Sequence, residues 1–137
     1  MRKLISFKQA AQFSLYIFTL VILFHGVIIV GILLFDFVPI DYLWGGRMET
    51  RDQLLGFEFI SLLIMAVCLL VVLVRSERIK IPALAGVAKV VTWILFFLFL
   101  LNTVGNALAT TTFEKFFAVV TALLAFLCLR LALGDKA

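Results

Sequence analysis

The chain has 137 residues, 65% of them hydrophobic and only 15% charged, and its mean hydropathy is +1.23. A soluble domain of this length has no interior large enough to hide that much apolar surface, so lipid must be the solvent for much of it, and no room is left for a second domain. The net charge of +4 comes without the concentrated basic face and groove-reading partners of a nucleic-acid binder, which makes the lipid bilayer the expected partner and excludes nucleic acid.

Four apolar stretches follow in chain order, at about residues 13–35, 54–74, 83–108 and 116–133. Each is close to the ~20 residues a helix needs to cross ~30 Å of hydrocarbon. None alternates as a barrel strand would, and backbone groups in lipid must pair internally, which leaves helices. The expected fold is therefore all-α: an integral membrane, antiparallel four-helix bundle forming one domain over residues 1–137. The Met-Arg-Lys start also suits a cleaved signal peptide, but the first apolar run is too long for one and no small-x-small cleavage site follows it, so it reads as a retained anchor.

Local signals place the helix ends. Ser6 with Gln9, Thr50 with Gln53 and Thr111 with Glu114 each set Gln or Glu three residues after a hydroxyl, a capping-box spacing that extends helices one, two and four beyond the lipid. Helix three is expected to begin at Pro82, whose missing N–H costs nothing in a first turn. Pro39 stops helix one from running on into the first loop. That loop, residues 36–49, is the longest connection; the short links at 75–81 and 109–112 make their flanking helices antiparallel neighbours. Nine of the 12 Lys and Arg fall on the side of both termini, including Arg2, Lys3 and Lys136, against Arg47, Arg51 and Lys115 on the other. With the acidic residues counted, the first side carries +7 and the second −3, so the positive-inside rule puts both termini in the cytoplasm.

Each span carries one narrow polar or small-residue line. Ser14, His25 and Asp36 are spaced 11 apart, a step that turns a helix by only about 20°. Glu58, Ser61, Met65 and Cys68 share a face of helix two, Asn102 and Asn106 lie one turn apart in helix three, and Glu114, Ala118, Thr121, Ala125 and Cys128 line helix four. Lipid has no use for such lines, whereas neighbouring helices do. With the helices antiparallel, the polar groups gather in the outer half; Lys89 and Arg130 in the inner half are expected to snorkel to cytoplasmic headgroups.

His25, at mid-span, is the most informative residue. An imidazole there is either bonded to a neighbouring helix or serves as a proton acceptor or metal ligand. Glu58 can pair with Arg47, Arg51 or Lys115, or exchange a proton. Asp36 can be solvated at the interface or join the same pocket. Asn102 and Asn106 can bind ligand polar groups or hydrogen-bond to neighbouring helices. Trp44-Gly45-Gly46-Arg47 is either an interfacial aromatic belt with a turn or a loop folded over the outer opening, with Arg47 facing an anionic headgroup. Cys68 and Cys128 form no Cys-x-x-Cys pair and read as core residues. No spacing in the sequence assembles a metal site, a phosphate-binding loop or a nucleophile–base pair, so no cofactor, metal or catalytic residue is assigned.

Leu43-Trp44-Gly45-Gly46-Arg47, Leu101-Asn102-Thr103-Val104-Gly105-Asn106 and Thr112-Phe113-Glu114-Lys115-Phe116-Phe117 resemble a group of small bacterial four-span membrane proteins, over most of the chain. That group carries no assigned activity. The resemblance implies a bacterial plasma (inner) membrane setting and brings no catalytic residues. The motifs of the small fluoride channels and small multidrug transporters, which also have four spans, are absent from the sequence.

The reading that follows is an integral membrane protein, more naturally not an enzyme, that binds or transports a small or lipid-like ligand. Its pocket would be lined by His25, Asp36, Glu58, Asn102 and Asn106, with Trp44 and Arg47 at the mouth. Transport through so small a bundle would call for a homo-oligomer. Two other classes compete: an accessory or assembly subunit of a larger membrane complex, and a membrane-embedded enzyme acting on a lipid.

Overall fold

A computed structural model describes residues 4–134. Arg2, Lys3, Asp135 and Lys136, four of the residues behind the charge asymmetry, lie outside the described residues. Within them the chain is all helix and loop: α1 (Phe7–Phe35), a short 3-10 turn (Trp44–Gly46), α2 (Arg51–Arg75), α3 (Pro82–Ala107) and α4 (Thr112–Leu133). The four long helices have 29, 25, 26 and 22 residues. At ~1.5 Å per residue each exceeds the ~30 Å of a bilayer core, and each is apolar enough to cross it. The protein is a multi-pass membrane bundle.

The helix ends follow their local chemistry. Ser6 forms a full capping box: its hydroxyl accepts from the Gln9 N–H, and the Gln9 side chain accepts from the Ser6 N–H. Thr50 accepts from the Gln53 N–H, but Gln53 reaches one residue further back, to the Glu49 N–H. Thr111 accepts from the Glu114 N–H and donates its own hydroxyl to the Glu114 carboxylate. Pro82 opens α3 as expected.

Helices α1 with α2 and α3 with α4 pack as antiparallel hairpins, the second pair more extensively. α4 is the most buried helix. Two apolar cores result. The inner one joins all four helices through side chains such as Phe18, Cys68, Val72, Leu95, Leu124 and Cys128. The outer one docks the long loop onto the helix tops through Ile28, Ile32, Leu43 and Leu54. Large apolar side chains that face away from both cores, such as Leu23, Leu63, Leu98 and Val119, are exposed, as a lipid-facing surface requires.

Arg130 departs from the sequence reading. It does not snorkel: it is only 2% exposed, donates to the Ile5 and Gly134 carbonyls and packs its guanidinium over Phe7. The chain at Ile5 folds against the C-terminal end of α4, and its carbonyl joins that of Gly134 in accepting from the guanidinium. Lys89 stays exposed, as a snorkelling residue would.

Candidate functional site

Between the two apolar cores lies a cavity of about 290 Å³. Its walls come from all four long helices and from the loop. α3 contributes no buried residue beyond Phe99, whereas the inner parts of α2 and α3 both enter the core. Ile64 on α2 and Asn102 on α3 both line the cavity and are exposed. The cavity wall is therefore not closed at α2 and α3.

Glu58 organises the polar wall. It is 1% exposed and both of its carboxylate oxygens are engaged: Oε2 lies 2.6 Å from His25 Nδ1, and Oε1 accepts from the Trp44 indole N–H at 2.9 Å. The three residues come from α2, α1 and the loop, so one carboxylate ties three segments together. None of Arg47, Arg51 and Lys115, the partners considered from sequence, pairs with it. Arg51 instead donates to the Ile32 carbonyl and lies near Asp36 and Asp52. The 2.6 Å contact is a hydrogen bond between imidazole and carboxylate, which offsets part of the cost of burying Glu58.

Trp44 does more than mark an interface. Its φ is 55°, in the left-handed region, and it is followed by Gly45 and Gly46 at 70° and 65°. Two glycines adopt that region freely; a tryptophan does not, and such a residue persists only where its surroundings hold it. The bond to Glu58 and the packing of its ring on Phe57 at 5.3 Å do so here. The loop thus folds over the outer end of the cavity, with Leu43 and Trp44 as part of the wall.

Of the residues proposed from sequence, His25, Glu58, Asn102, Asn106 and Trp44 meet at the cavity. Asp36 does not. α1 ends at Phe35, and Asp36 turns into a left-handed C-cap with its side chain 89% exposed. The 11-residue spacing is sound only while the helix continues, and here it stops. Arg47 is exposed and is not part of the wall. Ser14, on the same line of α1, is buried under the inner core.

The cavity also recruits residues not proposed for the site. Ser61, noted as a member of a helix line, and Glu114, noted as a line member and as the capping partner of Thr111, both face it. So does an aromatic cluster: Phe24 lies 5.9 Å from Phe113 and 5.5 Å from Phe117, which lie 5.1 Å from each other. Thr121 is tied to Thr103 across α3 and α4 at 3.1 Å. By contrast, the hydroxyl of Ser61, a residue 9% exposed, and the Asn102 and Asn106 amides have no hydrogen-bond partner among the described residues. His25 Nε2 is likewise open. Unpartnered polar atoms in an apolar setting are costly unless something fills the space.

No protein-family model, no curated protein and no solved structure matches the chain.

Proposed function

We propose that the protein binds a small, lipid-like ligand in the outer half of its bundle, taken up sideways from the membrane between α2 and α3. The observation that carries this reading is the cavity whose wall holds unpartnered polar groups, Ser61, Asn102, Asn106 and His25 Nε2, among apolar and aromatic side chains. A few convergent polar groups in an apolar cavity are the usual make-up of a small-molecule site. At about 290 Å³ the space suits a headgroup with part of a chain rather than a conduit, so net transport would need a second copy of the chain. A bacterial plasma membrane with both termini in the cytoplasm is the setting we propose. The test is extraction into lipid nanodiscs followed by native mass spectrometry. Wild-type protein should carry a retained amphiphile that Ser61→Phe on α2 and Val120→Phe on α4, each adding a ring to the cavity wall, both lose. Equal retention by all three proteins would contradict the reading.

A second reading draws on His25. With Nδ1 held by a carboxylate and Nε2 open to the cavity, the ring is set as a general base is set, which favours an enzyme acting on a lipid. Ser61 shares that wall but makes no hydrogen bond to His25, so the nucleophile–base pair is not assembled. Turnover of an added lipid that His25→Ala abolishes would move this reading ahead of the first.

A further inference from the structure

Which ligand chemistry the cavity would take follows from the charges and rings in its wall; the inference rests on the binding reading above. Among the described residues no Lys or Arg lines the cavity, whereas two carboxylates, Glu58 and Glu114, do. Glu58 is committed to His25 and Trp44. Glu114 is not: one oxygen accepts from the Thr111 hydroxyl, the other has no partner, and no ion pair with Arg47 or Lys115 forms. The N-terminal amides of α4 offer no anion site in its place, because Thr111 caps the Glu114 N–H and the Glu114 carboxylate itself sits in the first turn. Beside Glu114 on the same helix end are Phe113 and Phe117, clustered with Phe24. A carboxylate oxygen with no hydrogen-bond partner, next to a cluster of aromatic rings in the cavity wall, is the combination that recognises an ammonium group.

We infer that the cavity selects amphiphiles with a cationic ammonium head, Glu114 supplying the counter-charge and Phe24, Phe113 and Phe117 the ring faces. The source of the ammonium is either a simple long-chain amine or the head of a phospholipid such as an ethanolamine lipid. Arg47 distinguishes the two. Its Nε and the Glu114 oxygens lie within 3.6 and 3.4 Å of one point above Gly45, so a zwitterionic head can set its ammonium at Glu114 and its phosphate at Arg47. A simple amine has nothing for Arg47 to meet.

The experiment uses full-length protein in nanodiscs, with Trp93→Phe leaving Trp44 as the only tryptophan. Quenching of Trp44 emission is titrated with one brominated alkyl chain bearing a trimethylammonium, a glycerol or a sulfate head, and Ser61→Phe serves as the filled-cavity control. The ammonium compound should quench saturably at about tenfold lower concentration than the other two, the equivalent of about 1.4 kcal/mol. Glu114→Gln, which keeps the bond to Thr111, should remove that preference and leave the glycerol compound unchanged. Competition with lysophosphatidylethanolamine, weakened by Arg47→Gln alone, identifies the lipid source; insensitivity to Arg47→Gln identifies the simple amine. If the glycerol or sulfate compound binds as tightly as the ammonium, or Glu114→Gln leaves the preference intact, the ligand class is wrong while the binding reading stands. If no compound quenches beyond the Ser61→Phe control, both fail.

Discussion

Glu58→Ala removes the shared acceptor of Trp44 and His25 in one step, and the structure allows its cost to be worked out. Hydrogen bonds between helices in a membrane average about 0.6 kcal/mol and reach about 1.7; charged partners roughly double the strength of such bonds. Trp44 is 36% exposed, so its N–H finds water or headgroups when Glu58 is gone and loses less than about 1 kcal/mol. The His25 side chain is 12% exposed and has no such recourse, so it loses about 1–2 kcal/mol. The total is about 1–3 kcal/mol for Glu58→Ala. Glu58→Gln should cost about 1 kcal/mol or less, because the amide oxygen can still accept from Trp44 while its NH₂ donates to a neutral His25 Nδ1. Equilibrium unfolding in mixed micelles or bicelles gives both values. The cycle of His25→Ala, Glu58→Ala and the double variant isolates the pair, with an expected coupling of about 1–2 kcal/mol. Equal costs for Ala and Gln, or an additive cycle, would refute the assignment of Glu58 as the tie between α1, α2 and the loop.

Other sites give contrasting outcomes in the same unfolding assay. Asp36→Ala should be neutral to within about 0.5 kcal/mol, because the side chain is exposed and its contact with Arg51 is a surface one. Arg130→Met should destabilise by about 1–3 kcal/mol, since the Ile5 and Gly134 carbonyls lose their donor. Gly134→Ala should cost about 1–2 kcal/mol: the residue has φ 63°, and a Cβ there would stand 2.8 Å from the Arg75 guanidinium. The Thr103→Val and Thr121→Val cycle should yield a coupling near 0.6 kcal/mol, the scale of a single neutral bond between membrane helices.

The four spans were legible in the sequence because lipid leaves a backbone so few options, and the helix starts because Ser6, Thr50, Thr111 and Pro82 act through neighbours three residues away or fewer. The inward lines of α2 and α4 were legible for the same reason of periodicity: Glu58, Ser61 and Cys68 on one and Thr121, Ala125 and Cys128 on the other are all buried. The site's pairing was not. His25 and Glu58 are 33 residues apart, and no local spacing says which partner a mid-span imidazole meets across a bundle. Nor was the aromatic wall, because 15 Phe residues spread through the spans give Phe24, Phe113 and Phe117 no pattern of their own. Asp36 was misplaced because periodicity carries no warning of where a helix stops, and Arg130 because the chain folds its own carbonyls over a residue that composition sends to the headgroups.

The central claim is that the outer half of the bundle holds a ligand-accessible polar cavity above a closed inner core. Its most direct test is thiol modification in a Cys68→Ala, Cys128→Ala background, comparing Ser61→Cys in the cavity wall with Ser14→Cys under the inner core. Both serines are buried to more than nine-tenths, so the comparison reads access to the cavity rather than surface exposure. The account predicts that uncharged N-ethylmaleimide modifies Ser61→Cys at least about tenfold faster than Ser14→Cys, and that the ammonium amphiphile slows it. A Ser61→Cys thiol as inert as that of Ser14→Cys would contradict it.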